Sequence, residues 1–194
     1  MSDAKLKDIY EIGSGHQFRS KIEPDNDGNV DVIQIKNIND FHQIDTSDLT
    51  RVSIAKPSRY VVEPNDVLFL SRGRMFASVV PKNLKIKTIA SGYFFVLRAK
   101  ESITPHYVSW YLNGPKFQHY IKSLNTGRRH MAVISKRDFE DLTIPLPTSE
   151  KQQEIVRLNQ LMVEEATLLD QLKARRAELV RGICNQLASG EINK

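Results

Sequence analysis

Ser149-Glu150-Lys151-Gln152 opens a stretch that reaches Ser189 without a proline, and its reading decides the fold. Ser149 supplies a hydroxyl for the free amides of a first helical turn. Gln152, three residues on, supplies a side chain that can reach back, so the four residues read as a capping box. Gly190 stands where a left-handed helix stop is expected. Between them lie residues rich in Leu, Glu, Gln, Ala, Lys and Arg, all good helix formers. At 1.5 Å per residue this predicts a rod of roughly 55–60 Å, long for a helix of a compact domain.

The apolar residues of the rod recur at three- and four-residue steps. With Ile155, Met162, Leu169, Arg176 and Ile183 at heptad position a, Leu158, Glu165, Leu172 and Leu179 fall at d. Such a seam argues for a coiled coil. Its two exceptions, Glu165 and Arg176, carry opposite charge. A second copy running the other way, centred between Asp170 and Gln171, pairs Leu169 with Leu172, Met162 with Leu179, Leu158 with Ile183, and Glu165 with Arg176. One register thus matches all four d positions with an a and pairs both charges, which predicts an antiparallel homodimer. The competing reading packs the helix on its own domain, with Glu165 and Arg176 solvated at the edge.

The 194 residues suffice for one domain plus an appendage, and 40% hydrophobic residues suffice for a core. Residues 1–147 read as a globular domain, 148–190 as the long helix and 191–194 as a tail. The fold class expected is α+β, a mixed α/β domain followed by a coiled-coil helix. The single cysteine, Cys184, cannot form an internal disulfide, which fits a reducing cytoplasm. No apolar run is long enough to span a bilayer, and no signal peptide is visible.

The net charge of +5 hides an asymmetry. Residues 1–65 are net −3 and residues 138–194 net −3, whereas residues 66–137 are net +11, with Asp66 and Glu101 their only acids. An ordinary surface mixes both signs; a long stretch this poor in acids reads as a polyanion-binding surface. The plainer alternative is that the bases are spread over a solvated face.

In chain order, residues 3–12 read as a short amphipathic helix, with Leu6, Ile9 and Tyr10 on one face and Gly13 as its stop. Residues 13–19 read as a flexible loop whose spacing does not fit a phosphate-cradling loop. A turn at 25–29 precedes a strand at 30–36, and 37–50 is loop-like. Residues 60–62 and 67–70 read as strands around a turn, the second one buried. Ser71-Arg72-Gly73-Arg74 then places two guanidinium forks about a glycine at a strand end, suited to phosphates and guanine edges, or else an ordinary hairpin turn. Strands are expected at 75–80, 85–90 and 93–98. Thr104-Pro105 reads as a cap and first residue of a helix running to Asn113-Gly114, its aromatics assigned to the core rather than to base stacking. A second helix at 115–124 leads to the basic loop Asn125-Thr126-Gly127-Arg128-Arg129-His130. Ser135 caps another turn, 142–146 is a last strand, and Pro145-Leu146-Pro147 is a hinge of fixed φ that should set the angle of the rod.

Together these residues resemble a family. Leu6-x-Asp8-Ile9 with Ile12-x-x-Gly15, Val67-Leu68-Phe69-x-Ser71-Arg72-Gly73, and Pro105-x-Tyr107-Val108-x-Trp110-Tyr111-Leu112-Asn113 come first. Phe139-x-x-Leu142-x-Ile144-Pro145-Leu146-Pro147, Gln153-Glu154-Ile155 and Leu187-x-Ser189-Gly190-Glu191-Ile192 follow. In this order they resemble the specificity subunit of type I restriction–modification systems. The usual subunit has two recognition domains and two long helices; one of each here resembles a half-subunit. The resemblance implies an antiparallel helix pair that spaces two recognition domains, and a protein that catalyses nothing. It also implies a modification subunit that binds S-adenosylmethionine and methylates adenine, and a restriction subunit that translocates and cuts DNA.

Direct inspection finds no catalytic pattern. There is no Asn/Asp-Pro-Pro-aromatic methyltransferase motif, no Gly-x-Ser-x-Gly elbow and no His-Glu-x-x-His. His16, His42, His106, His119 and His130 lack cysteine partners at ligand spacing, so no metal is expected. Asp66 has only a distant Lys82 and makes a poor nuclease centre. The expected activity is double-stranded DNA recognition. Lys and Arg of residues 66–137 would neutralise phosphates, and Arg72, Arg74, Arg128, Arg129 and His130 would reach base edges, with Gln17 and Arg19 as weaker candidates. The competing class is a stand-alone dimeric nucleic-acid-binding or scaffold protein.

Overall fold

The structure, a computed structural model, describes residues 2–73, 76–84, 86–100, 103–123 and 132–190. Arg74, Arg128, Arg129 and His130 therefore lie outside the described residues. In chain order the elements begin β1 (Ser2–Lys5), α1 (Leu6–Ile9), β2 (Tyr10–Ser14), β3 (Val30–Ile33) and β4 (Thr50–Val52). They continue with β5 (Val67–Leu70), β6 (Arg72–Gly73), β7 (Ser78–Val79), β8 (Thr88–Ala90) and β9 (Phe94–Ala99). Then come α2 (Pro105–Asn113), α3 (Pro115–Ser123), β10 (Ala132–Val133), α4 (Lys136–Glu140), β11 (Thr143–Leu146) and α5 (Ser149–Ser189). Short 3-10 turns occupy Ile35–Asn37 and Pro57–Tyr60. This is a mixed α/β domain followed by a long helix, the class the sequence leads one to expect.

The central sheet has the order β2-β9-β5-β7, all neighbours antiparallel. A second sheet, β4-β3-β8, pairs β3 antiparallel to β4 and parallel to β8. Strand β5 shows why Val67-Leu68-Phe69-Leu70 is apolar throughout. Strand side chains alternate between faces: Val67 and Phe69 enter one core cluster, Leu68 and Leu70 another. The first cluster is built around Phe69, stacked on Phe139 at 4.4 Å and meeting Phe117 edge-on at 6.1 Å. Helices α2 and α4 contribute Tyr107, Val108, Leu112 and Phe139 to it. The Asn113 amide closes the β7 edge: its Oδ1 accepts from Ser78 N at 2.8 Å and its Nδ2 donates to Ser78 O at 2.7 Å.

Several local expectations are corrected. Residues 3–12 are not one helix; only Leu6–Ile9 is helical, between two strands. β1 pairs with β11 and β2 with β9, and this remote hydrogen bonding overrides the local spacing of Leu6, Ile9 and Tyr10. The strand at 30–36 stops at Ile33, because Asn37 turns the chain. Its Oδ1 accepts from Gln34 N and its Nδ2 donates to Asp48 O. Thr50, read as the end of a loop, opens β4 (Thr50–Val52), with Arg51 opposite Asp31 and 3.0 Å from its carboxylate. Residues 57–60 form a 3-10 turn, and Val61 makes only a bridge to Ile89. Of the stretches 75–80 and 85–90, Ser78–Val79 and Thr88–Ala90 are strand among the described residues. The Thr104 side chain makes no cap bond to α2, although Pro105 opens that helix as expected. Ser135 does cap α4, accepting from Asp138 N.

Helix α5 runs 41 residues, and Gly190 follows with φ +74°, the left-handed stop. Its capping differs from expectation. Gln152 does not reach back to Ser149: its Nε2 donates to Pro147 O at 2.9 Å and its Oε1 accepts from Thr104 N at 3.2 Å. Met1–Val156 and Arg157–Lys194 are two separate compact units. The first turns of α5 belong to the former, with Ile155 and Val156 packed against the core built around Phe69.

Candidate nucleic-acid interface

The turn at residues 91–93, between β8 and β9, is where separate parts of the chain meet. Ser91 N donates to Ile33 O, and Phe94 N to Ser91 O, each at 3.0 Å. From the amino-terminal side, Gly15 N donates to Phe94 O at 3.0 Å and His16 N to Ala90 O at 2.8 Å. The Gln17 Nε2 donates to Gly92 O at 3.1 Å. Residues 13–19 are therefore not the free loop expected: Gly13 and Ser14 end β2, and 15–17 are bonded to this turn. Two glycines permit it. A Cβ on Gly15 would sit 2.3 Å from Ser91 O, and one on Gly92 would sit 2.3 Å from the Gln17 amide. The Gly15 contact is with backbone, which cannot step aside; the Gly92 contact is with the end of a flexible side chain, so a Cβ there would displace the Gln17 amide from Gly92 O.

Ser71 approaches the same turn from the other side. Its N and Oγ both donate to Tyr93 O at 2.9 Å. Arg72 follows, with its Cζ 5.7 Å from the centroid of the Tyr93 ring. Tyr93 is 43% exposed. β6 pairs with β10, Gly73 opposite Ala132 and Arg72 opposite Val133, and Ile134 N donates to Ser71 O. The strand that follows residues 124–131 thus lies against Arg72. The structure brings Gln17 and Arg72 to one turn. Arg19 is exposed, without an ion pair among the described residues.

Tyr93, which opens an expected strand, and Gly92, just before it, join this candidate site although neither stood out in the sequence. The available signal was a Ser-Gly-aromatic tripeptide between two apolar runs, a turn with an aromatic at its tip. His16 lies beside this turn, with the Phe18 and Tyr60 rings edge-on at 4.6 and 4.8 Å. Burial holds its imidazole below the ordinary histidine range.

Not every base of residues 66–137 faces a ligand. Arg98 is taken by Asp66 and Glu63, Lys136 by Glu140, and the Lys100 ammonium by Lys7 O. Lys82, Lys87, Lys116, Lys122 and Arg137 are exposed. Among the α2 aromatics, Tyr107 is buried and donates its hydroxyl to Pro145 O at 2.8 Å, a core role. No cluster of His, Cys, Asp or Glu suited to a metal occurs among the described residues. No helix of the described residues is long and apolar enough to cross a membrane.

On α5, Leu158, Met162, Leu169, Leu172, Leu179 and Ile183 are 42–63% exposed, and Leu161, Leu168, Val180 and Leu187 are similarly open. Glu165 and Arg176 are exposed within this face. Ile155 is the exception, half-buried against the core.

The comparisons agree with this architecture. A crystal structure of the HsdS subunit from Thermoanaerobacter tengcongensis superposes with TM-score 0.62 at 19% identity, over 95% of this chain and 44% of that one. A type I restriction–modification S subunit from M. genitalium gives 0.61 at 13% identity, over 97% and 46%. A chain from a structure described as showing complex assembly and conformational transition of the type I R-M system gives 0.68 at 20% identity, over 93% and 43%. These likenesses establish the fold, and the chain spans less than half the length of each of these chains. No curated protein sequence matches it. The family model described as "Type I restriction modification DNA specificity domain" matches residues 1–175, nearly the whole sequence. The chain therefore belongs to the type I restriction modification DNA specificity domain family.

Proposed function

We propose that the chain is a half-length specificity subunit that recognises duplex DNA and performs no chemistry on it. Two copies associate antiparallel through α5 and read two identical, inverted half-sites separated by an unread spacer. Residues 1–147 are the recognition domain, 148–190 the dimerisation and spacer helix, and 191–194 a tail. The observation that carries this reading is the open apolar face of α5, interrupted by one acid and one base that a two-fold antiparallel register would pair. The family match supports its DNA-recognition part.

Exposed Lys82, Lys87, Lys116 and Lys122 supply sequence-independent attraction to phosphates. Gln17, Arg19, Arg72, Arg74, Arg128, Arg129 and His130 are the proposed groups for base edges and adjoining phosphates. The partners are a methylating modification subunit, which would carry any S-adenosylmethionine, and a restriction subunit. The chain itself needs no cofactor, and its site of action is the cytoplasm. A gel shift with duplex DNA, with and without a modification subunit, tests the reading. Sequence-dependent retention of duplex is expected. Binding of RNA in preference to duplex DNA under both conditions would overturn it.

A further inference from the structure

We infer that Arg72, held in orientation by the Tyr93 ring, reads one guanine of the half-site. This rests on the duplex-recognition reading above. Three constraints fix Arg72. Its backbone is paired with Val133 in the β6–β10 ladder. Ser71, just before it, is bonded twice to Tyr93 O. Its guanidinium lies 5.7 Å from the Tyr93 centroid.

The nitrogens then sort by access. Nε is buried and has no hydrogen-bond partner among the described residues, while the residue as a whole is half-buried. No ion pair among the described residues engages the group. What remains for a ligand is the terminal Nη pair, two parallel donors in one plane. That edge matches the O6 and N7 acceptors of guanine in the major groove. A phosphate would demand charge but little orientation, and a lysine on a free stem would serve it. Restraining a guanidinium beside an aromatic ring is of use where the acceptor pair is itself planar. Tyr93 is a positioning residue: its ring orients Arg72 and need not touch DNA.

The test is selection of binding sites from a random duplex pool by the full chain, as wild type and as Arg72→Lys, Tyr93→Leu and Tyr93→Phe, with circular dichroism as the folding control. Wild type should enrich a half-site in which one guanine is preferred roughly tenfold or more, the range of a bidentate pair. Arg72→Lys keeps the charge and loses the fork, so preference at that single position should flatten while the salt dependence of binding stays unchanged. Tyr93→Leu should flatten the same position, and Tyr93→Phe should keep it. If Arg72→Lys and Tyr93→Leu retain every base preference, Arg72 serves a phosphate and the inference is overturned, with the DNA reading intact. If the wild type enriches no sequence, the DNA reading itself falls and the inference with it.

Discussion

Arg98 closes on Asp66 through two parallel hydrogen bonds, Nε to Oδ1 at 3.0 Å and Nη2 to Oδ2 at 2.8 Å. The Asp66 side chain is 2% exposed and that of Arg98 is 41% exposed. The pair is therefore asymmetric. Arg98→Met leaves a buried carboxylate, still held by Glu63 N, without its counter-charge, and should cost about 3 kcal/mol. Asp66→Asn leaves a guanidinium that water can reach, and should cost less. Urea unfolding of both variants checks the order; equal costs would contradict it. Because Arg98 is committed here, Arg98→Met should leave the salt slope of DNA binding unchanged.

The Tyr10 hydroxyl has the opposite problem. Tyr10 is 1% exposed, its hydroxyl has no partner among the described residues, and burial pushes its ionisation well above the ordinary tyrosine range. A buried hydroxyl without a partner loses its hydration for nothing. Tyr10→Phe should be neutral or stabilise by about 1 kcal/mol. The folded state holds this proton more tightly than the unfolded chain, so wild-type stability should fall as pH rises through the ordinary tyrosine pKa near 10.0. That alkaline loss should be smaller in Tyr10→Phe, as measured by thermal unfolding against pH.

Asp141 accepts from Lys7 Nζ at 2.8 Å and Lys5 Nζ at 3.2 Å. The Lys7 hydrogen bond first, then that from Lys5, hold its carboxyl below the ordinary value of 3.8. Its contribution is present above that value and is lost as pH falls through the depressed one. Lys7 is raised above 10.5, so its share persists below that value and is lost as pH rises through the raised one. An NMR titration should place the Asp141 midpoint below 3.8, and Lys7→Met should move it upward. An unchanged midpoint would remove Lys7 from the cause.

Gln152 is the buried amide that ties the start of α5 to Thr104 N and Pro147 O. Gln152→Ala leaves both backbone groups unpartnered and should destabilise the chain by about 1–3 kcal/mol. Gln152→Glu can still accept from Thr104 N but offers Pro147 O no donor while ionised, so it should not restore wild-type stability. Denaturant midpoints decide between these outcomes.

Where structure follows from neighbours in sequence, it was legible. The rod from Ser149 to Ser189 and its stop at Gly190 follow from helix formers, periodicity and one glycine. Val67–Leu70 reads as a strand buried on both faces because nothing polar interrupts it. Remote pairing was not legible. Leu6, Ile9 and Tyr10 are spaced for a helix, yet β1 takes its partner from residues 143–146. The composition of 66–137 gives the charge, but not that Arg98 spends its charge on Asp66. Gln17 and Arg72 each stood out as polar loop residues; their meeting at Gly92 and Tyr93 depends on contacts across long stretches of chain.

The self-pairing of α5 carries the account, and sedimentation equilibrium of the full chain tests it most directly. A dimer is expected, weakened by Arg176→Glu and recovered when Glu165→Lys is added. A chain that stays strictly monomeric, both alone and bound to its methylating partner, would contradict it.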